Sequence, residues 1–340
     1  MPGQDNDVID IGFSPGERTA NICLRRYAGE KDFIDMSRVA IESWKADSFE
    51  FMTSPEDLKS AYEECPERDP SKTLLICEVH GKMVAYAEAF LEEKSDRQLK
   101  CHQYVHVLPE FRGEGLREAL LRYNEKKLRE AVSHRSPMGK VVFQSWALNR
   151  PNDWQKILSS EGYEEKWHVL EMVRPNLEEI PDAPLPEELT VRKITEKDYR
   201  KVWDASKEAF MNQPWTDAEQ WDEEHYRQWL KHPQFEPDLW QIAWDGDKVV
   251  GSVQSFIDRD ENRTFVRRRG HTERVFVAPS WRGKGVAKAL LARSLRLLKE
   301  KGMNEATLDT EEANVHEAYK VYQRMGFETV YQFTFYEKPL

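Results

Sequence analysis

Arg274-Val275-Phe276-Val277-Ala278-Pro279-Ser280-Trp281-Arg282-Gly283-Lys284-Gly285-Val286-Ala287 is the stretch that decides the fold of this chain. Arg274 to Val277 reads as a buried β-strand, closed by the turn at Ala278-Pro279-Ser280. Beyond it, Val286, Leu290, Leu291, Leu295 and Leu298 recur at spacings that keep one face of a helix apolar. The glycine-spaced loop therefore delivers backbone N–H groups to a helix N-terminus, where orphan donors and the macrodipole favour an anion. Gly283 and Gly285 let the main chain turn tightly and approach a ligand, and Arg282 and Lys284 add positive charge. The loop reads as a phosphate cradle. It matches neither the Walker pattern nor the dinucleotide fingerprint, whose further glycine and lysine positions are missing.

A second element lies downstream, in the run Asn314-x-x-x-Ala318-x-x-x-Tyr322-x-x-x-Gly326-Phe327. Asn314 suits an N-cap, Gly326 suits the residue after a helix, and Ala318 and Tyr322 lie one turn apart on one face. Between the two elements, Glu305-Ala306-Thr307-Leu308-Asp309 reads as another strand. The two elements together resemble the signatures of the GNAT superfamily of N-acetyltransferases. The resemblance implies an α/β fold, a mixed and largely antiparallel twisted sheet flanked by helices. It implies acetyl-coenzyme A as co-substrate, with the backbone of Val275, Phe276 and Val277 pairing with the pantetheine arm. Arg282, Gly283, Lys284, Gly285, Val286, Ala287 and Lys288 are then the pyrophosphate-binding positions, with Asn314 also near the coenzyme. Tyr322 becomes the general acid to the departing sulfur.

The base is open between two residues. Strict alternation puts His271, Glu273, Val275 and Val277 on one face of the strand. The resemblance implies a carboxylate on this strand that draws the proton of the amine. Glu273 is the acid nearer the expected thioester, and His271 stands where several relatives place theirs. These two residues alone lack the ligands for a metal site, so no metal is expected. The acceptor, a small-molecule amine, is expected beside Met211 to Pro237, which carries Trp215, Trp221, Tyr226, Trp229 and Phe235 among Asp217, Asp222, Glu223 and Glu224. Such aromatics could receive a cation, or a helix over Trp221 to Leu230 could simply bury them. Arg267-Arg268-Arg269 reads as a solvated turn.

The chain also repeats itself. Leu24 to Phe33 reappears as Val191 to Tyr199, and the hairpin around His80-Gly81-Lys82 reappears around Asp245 to Lys248, about 166 residues later. Phe111-Arg112-Gly113-Glu114-Gly115 stands to the first copy as Trp281 to Gly285 stands to the second. The expected organisation is an extension over 1–17, a degenerate GNAT-like domain over 18–174, a proline-rich linker over 175–188 and a catalytic domain over 189–340. Val8 to Ile11 is expected to pair at a sheet edge. In the first copy Arg117 replaces Ala287, Glu114 replaces Lys284, Trp154 replaces Ala318 and Leu158 replaces Tyr322. One coenzyme site per chain follows, with the first copy as scaffold. This tandem layout is similar to that of the mycothiol synthase family, which implies a cysteinyl pseudodisaccharide amine as one possible acceptor. A coenzyme-binding sensor without turnover is the rival reading.

Composition narrows the class. At 340 residues, 39% hydrophobic and 11% aromatic, the chain has enough apolar side chains for two cores. A net charge of -11 argues against a nucleic-acid binder. No apolar run reaches membrane-spanning length, and the acidic start is unlike a secretion signal. Cys23, Cys65, Cys77 and Cys101 form no Cys-x-x-Cys pair and read as reduced, mostly buried thiols. A cytoplasmic enzyme, monomeric or homodimeric, is expected.

Overall fold

The computed structural model describes residues 11–340 except 15, 51, 64, 94–97, 136, 138, 151, 211–220, 233 and 313–317. Most of the expected edge strand Val8 to Ile11, the acceptor-side residues Trp215 and Asp217, and Asn314 lie outside the described residues. Two units make up the chain, one of residues 1–166 with Thr334–Leu340, the other Trp167–Phe333.

In the first unit, strands β1 (Ile22–Arg25), β2 (Leu74–Val79), β3 (Lys82–Glu93), β4 (Leu99–Val107) and β5 (Val141–Leu148) lie side by side in chain order. The first four are antiparallel neighbours, and β4 runs parallel to β5. A parallel step needs a crossover, which the helix Leu116–Ser133 supplies. Leu74 to Cys77 are all buried, as befits a strand covered on both faces, whereas β4 alternates buried and half-buried residues. Met36, Ile76, Leu120 and Phe143 meet in the core.

The second unit repeats the plan. After β6 (Glu164–Arg174) come β7 (Thr190–Val191), β8 (Gln241–Asp245), β9 (Lys248–Phe256), β10 (Arg269–Val277), β11 (Glu305–Glu311) and β12 (Glu328–Pro339). Here the order is β6-β11-β10-β9-β8-β7, with β10 and β11 parallel and the other registered pairs antiparallel. The crossover helix Val286–Glu300 buries Val286, Leu290, Leu291, Leu295 and Leu298, the face expected from their spacing. Helix Glu196–Phe210 covers the opposite face through Val202 and Trp203. A mixed, largely antiparallel sheet flanked by helices thus occurs twice, which is the expected fold class.

Each unit takes a strand from the other half of the sequence. Val169 to Arg174 run in register along Glu311 to Ala306 inside the second unit. Thr334–Leu340 belong to the first, where Leu340 N–H donates to the Val141 carbonyl at 3.3 Å and Lys338 Nζ holds Glu125 at 2.8 Å. Residues 175–189 form no regular element, yet Leu177 and Leu189 are buried and Glu178 pairs with Lys299 at 2.9 Å.

One expectation is corrected here. Arg267 and Arg269 do not lie in a solvated turn: their side chains are 14% and 11% exposed, the first paired with Glu261, the second with Glu305 and Glu171. Parallel pairing of Arg269 with Glu305 draws the run inward. Among the described residues no helix is long and apolar enough to cross a membrane. All four cysteines are free; Cys77 and Cys101 are buried, Cys65 half-buried and Cys23 exposed.

Candidate active site

Strand β10 does not alternate strictly. Glu273 pairs with Gln254 and Phe276 with Ser252, so two residues on β10, Arg274 and Val275, stand against one on β9, Val253. This is a β-bulge, and Arg274 inside it has φ of +45°. For a non-glycine residue that backbone costs about 1–3 kcal/mol and persists only where the surroundings impose it. The bulge corrects the expected face. His271, Glu273 and Phe276 look one way, towards helix Glu196–Phe210; Val275 and Val277 look the other, towards the core under helix Val286–Glu300.

The loop after β10 has the conformation its glycines allow. Gly283 and Gly285 have φ of +76° and +84°, and a Cβ on either would meet nothing within 4 Å. Gly285 is the N-cap of helix Val286–Glu300 with no side-chain cap, so the first N–H groups of the helix keep their donors. Arg282 Nε donates to the Val277 carbonyl at 3.1 Å, tying the loop to the strand end.

A cavity of about 510 Å³ opens along this loop. Val275, Phe276 and Val277 line it from the strand; Arg282, Gly283, Gly285, Val286, Ala287 and Lys288 line it from the loop and helix start. Lys284 is not among the lining residues: its Nζ lies over the Trp281 ring, 4.3 Å from the centroid. Ala318 and Tyr322 reach the cavity from the short helix Ala318–Arg324. Tyr322 is 6% exposed, and its hydroxyl makes no hydrogen bond to a described residue. Burial first, and the charge of Glu273 second, raise its pKa well above that of a free phenol.

Across the sheet from this loop, carboxyl groups gather. Burial pushes Glu273 up to about 7. Asp309 is likewise pushed up to about 7, by burial and then by the charge of Glu273. Its side chain is nonetheless open to solvent. On β6, Glu171 stands in register with Asp309 and is raised to about 7 by burial and by Asp309. His271 is engaged elsewhere: its ring stacks on Phe256 at 4.5 Å and its Nε2 lies 2.9 Å from Glu261.

The model of the acetyltransferase (GNAT) family matches residues 38–136 and 198–327. This chain belongs to the GNAT acetyltransferases. It is 27% identical over 226 residues to the mycothiol acetyltransferase of Geodermatophilus obscurus, covering 65% of this chain and 68% of that protein. To the mycothiol acetyltransferase of Streptomyces bingchenggensis it is 28% identical over 261 residues, 75% of this chain and 77% of that one. The fold is also that of the GCN5-related N-acetyltransferase from Sphaerobacter thermophilus, with a TM-score of 0.71 at 23% identity over 96% of this chain and 97% of that chain. The chain is therefore an N-acetyltransferase by family.

The same place in the first unit of this GNAT enzyme is filled. Its counterpart cavity measures only about 20 Å³ and is lined by Arg117, Trp44, Trp146 and Trp154 among others. Arg117, 4% exposed, pairs with Asp153 at 2.5 Å and Asp47 at 3.6 Å, and lies over the Trp154 ring. Trp44 stacks on Trp146 at 4.6 Å. Glu114, at the position of Lys284, is taken up by Arg18 and Thr19 at 2.9 Å each.

Sequence reading did not single out Asp309, Glu171 or Arg274, the charged residues gathered around Glu273; like Glu273, they are not among the residues that line the cavity. Asp309 was recognised only as a strand residue, because the parallel register of β10 and β11 is not written in either strand alone. Strict alternation concealed Arg274, since one added residue reverses the facing of everything after it.

Proposed function

We propose that this GNAT enzyme moves an acetyl group from acetyl-coenzyme A to a primary amine by direct attack in a ternary complex, at the second unit alone. One observation carries the reading: a single cavity gathers the glycine loop, the bulged strand and the buried Tyr322, whose hydroxyl has no partner among the described residues. The residues present fit the coenzyme. Open space at both glycine Cβ positions and the uncapped helix start suit a pyrophosphate, with Arg282 and Lys288 supplying charge. The coenzyme supplies the activated acetyl thioester.

Glu273 then serves as base. With a pKa near 7 it is part ionised at neutral pH and can take the proton the amine loses. Asp309, coupled to it electrostatically, can share that proton. Tyr322 keeps its proton because burial and Glu273 disfavour the phenolate, so it can give that proton to the departing sulfur. Strand disruption at the bulge frees backbone groups near Val275 to polarise the thioester carbonyl. His271, engaged with Glu261 and Phe256, orients rather than abstracts. Acidic composition and free thiols support a cytoplasmic place of action.

The test is release of free thiol from acetyl-coenzyme A in the presence of small amines, aminoglycosides, peptides and cysteinyl pseudodisaccharides. Coenzyme binding without turnover on any amine would instead establish a sensor. The cysteinyl pseudodisaccharide is the second reading of the acceptor, favoured by the two-thirds-length likeness to mycothiol acetyltransferases.

A further inference from the structure

Among the described residues, no carboxylate forms an ion pair with Arg274. Its Cζ lies 5.9 Å from the Trp203 ring centroid and 5.4 Å from that of Trp221. Burial lowers its pKa, and only the neighbouring charge of Glu273 opposes this. Yet among the described residues no carboxylate comes within ion-pair distance and no acceptor takes any of its five N–H donors. Other arginines seated over rings are treated differently. Arg68 has Glu88 at 2.8 Å, Arg117 has Asp153 at 2.5 Å, Arg192 has Asp198 at 2.8 Å, and Arg267 has Glu261. Arg26, which lies over Tyr123, is exposed to water and needs no partner.

A second donor beside Arg274 is also orphaned. Trp221 is 7% exposed and its buried Nε1–H has no hydrogen-bond partner among the described residues. Buried donors are normally satisfied, so the orphaned indole N–H of Trp221, whose ring lies under a half-buried guanidinium with no partner among the described residues, marks a place suited to acceptor oxygens. The backbone supports the same conclusion. Arg274 occupies the strained position of the bulge, one residue from Glu273 and on the acceptor side of the sheet. Strain of that kind at a site residue is retained where the side chain must be aimed.

We propose that Arg274, with Trp221, binds a carboxylate carried by the acceptor, so that the amine presented to Glu273 belongs to a zwitterionic, amino-acid-like molecule. This inference rests on the reading of the second unit as an amine acetyltransferase and names its acceptor class. A guanidinium accepts a carboxylate through two parallel N–H···O bonds, and the indole walls exclude water from that pair. The adjacency of Glu273 and Arg274 at the bulge suits an ammonium and a carboxylate borne on one carbon, as in an α-amino acid.

The experiment compares each acceptor with its own amide and its decarboxylated amine: phenylalanine, phenylalaninamide and phenethylamine, and the cysteine, cysteinamide and cysteamine set. Expected is a preference of at least tenfold in kcat/KM for the carboxylate-bearing member. Arg274→Met should bring the ratio of acid to amide close to one, and Arg274→Lys, which keeps charge but loses the fork, should leave it intermediate. Calorimetric titration of the same compounds into protein saturated with coenzyme A reads the preference without turnover. If no amine is acetylated but the acids still bind better than their amides, the transferase reading fails and the carboxylate site stands. Equal or better binding of amides by the unaltered protein, no binding of any acid at millimolar concentration, or an unchanged ratio in Arg274→Met overturns the proposal.

Discussion

Arg282 and Arg112 make the same bond in the two units: each donates from Nε to a strand-end carbonyl at 3.1 Å, Arg282 to Val277 and Arg112 to Val107. What differs is the rest of the guanidinium. Arg112 spends it on Asp47 at 2.8 Å and on Ser43, whereas Arg282 pairs with no described carboxylate and lines the open cavity. A loop geometry has been kept twice and a charge left available once.

Coenzyme binding should follow that difference. Titration is expected to give one coenzyme A per chain. Gly285→Val, at a positive φ and with its side chain directed into the open space, should weaken binding at least tenfold, a loss of about 1.4 kcal/mol or more. Gly115→Val in the closed first unit should leave affinity within twofold. Two equivalents per chain, or equal effects of the two substitutions, would show that both units hold coenzyme.

Tyr322→Phe isolates the proton. The ring remains in its buried contacts, so coenzyme affinity and melting temperature should change little while kcat drops about 10²-fold. Loss of stability with kcat per folded molecule preserved would reduce Tyr322 to a core residue.

A titration near neutrality should be visible in the rate. Glu273 has to be ionised to act, so kcat/KM is expected to rise as pH passes about 7, and Glu273→Gln should flatten that limb while lowering the rate about 10²–10⁴-fold. Because Asp309 titrates in the same range, the apparent value belongs to the pair. Asp309→Asn should then move the limb to lower pH, by removing a like charge. A limb that survives Glu273→Gln unchanged assigns the base to another residue.

Stability carries the opposite sign. A carboxyl whose folded pKa is raised binds its proton more tightly when folded, so it disfavours the folded state increasingly as pH rises from its unfolded value, about 4.3, towards 7. Glu273→Gln should therefore raise the melting temperature more at pH 8 than at pH 5, by a few degrees at most. Thermal melts at the two pH values decide the matter; a larger gain at pH 5 contradicts the burial of this group.

Much of the fold was legible because it depends on local signals. Gly283 and Gly285 announce the loop, and the apolar spacing from Val286 to Leu298 announces the helix that follows. What escaped the linear reading depends on partners distant in sequence. No property of Arg274 itself declares a bulge; the register with Gln254 and Ser252 does. Asp309 belongs to the site only through strands that come together in space, Glu273 on one side and Glu171 on the other. Arg117 stands out in the linear sequence as the residue in the place of Ala287, but its answering carboxylates, Asp47 and Asp153, lie 70 and 36 positions from it in a chain whose folding alone brings them close.

A chain beginning at residue 175 keeps the whole second repeat yet loses Trp167–Arg174, and with them Leu170 and Met172 of the second core. Such a fragment should aggregate or melt without cooperativity, because β11 is left with an unpaired edge and its apolar face uncovered. Size-exclusion chromatography and circular dichroism read this directly. A monomeric fragment with the melting temperature of the full chain would show that β6 contributes nothing to the second unit.

Membership of Thr334–Leu340 in the first unit sets an order of events on the ribosome. Domains of most chains can finish folding as they emerge, the earlier before the later. Here the first unit waits: the residues that donate to Val141 and hold Glu125 are made after every residue of the second unit. The second unit has all of its residues once Phe333 is made, so the unit that emerges first is the last to be completed.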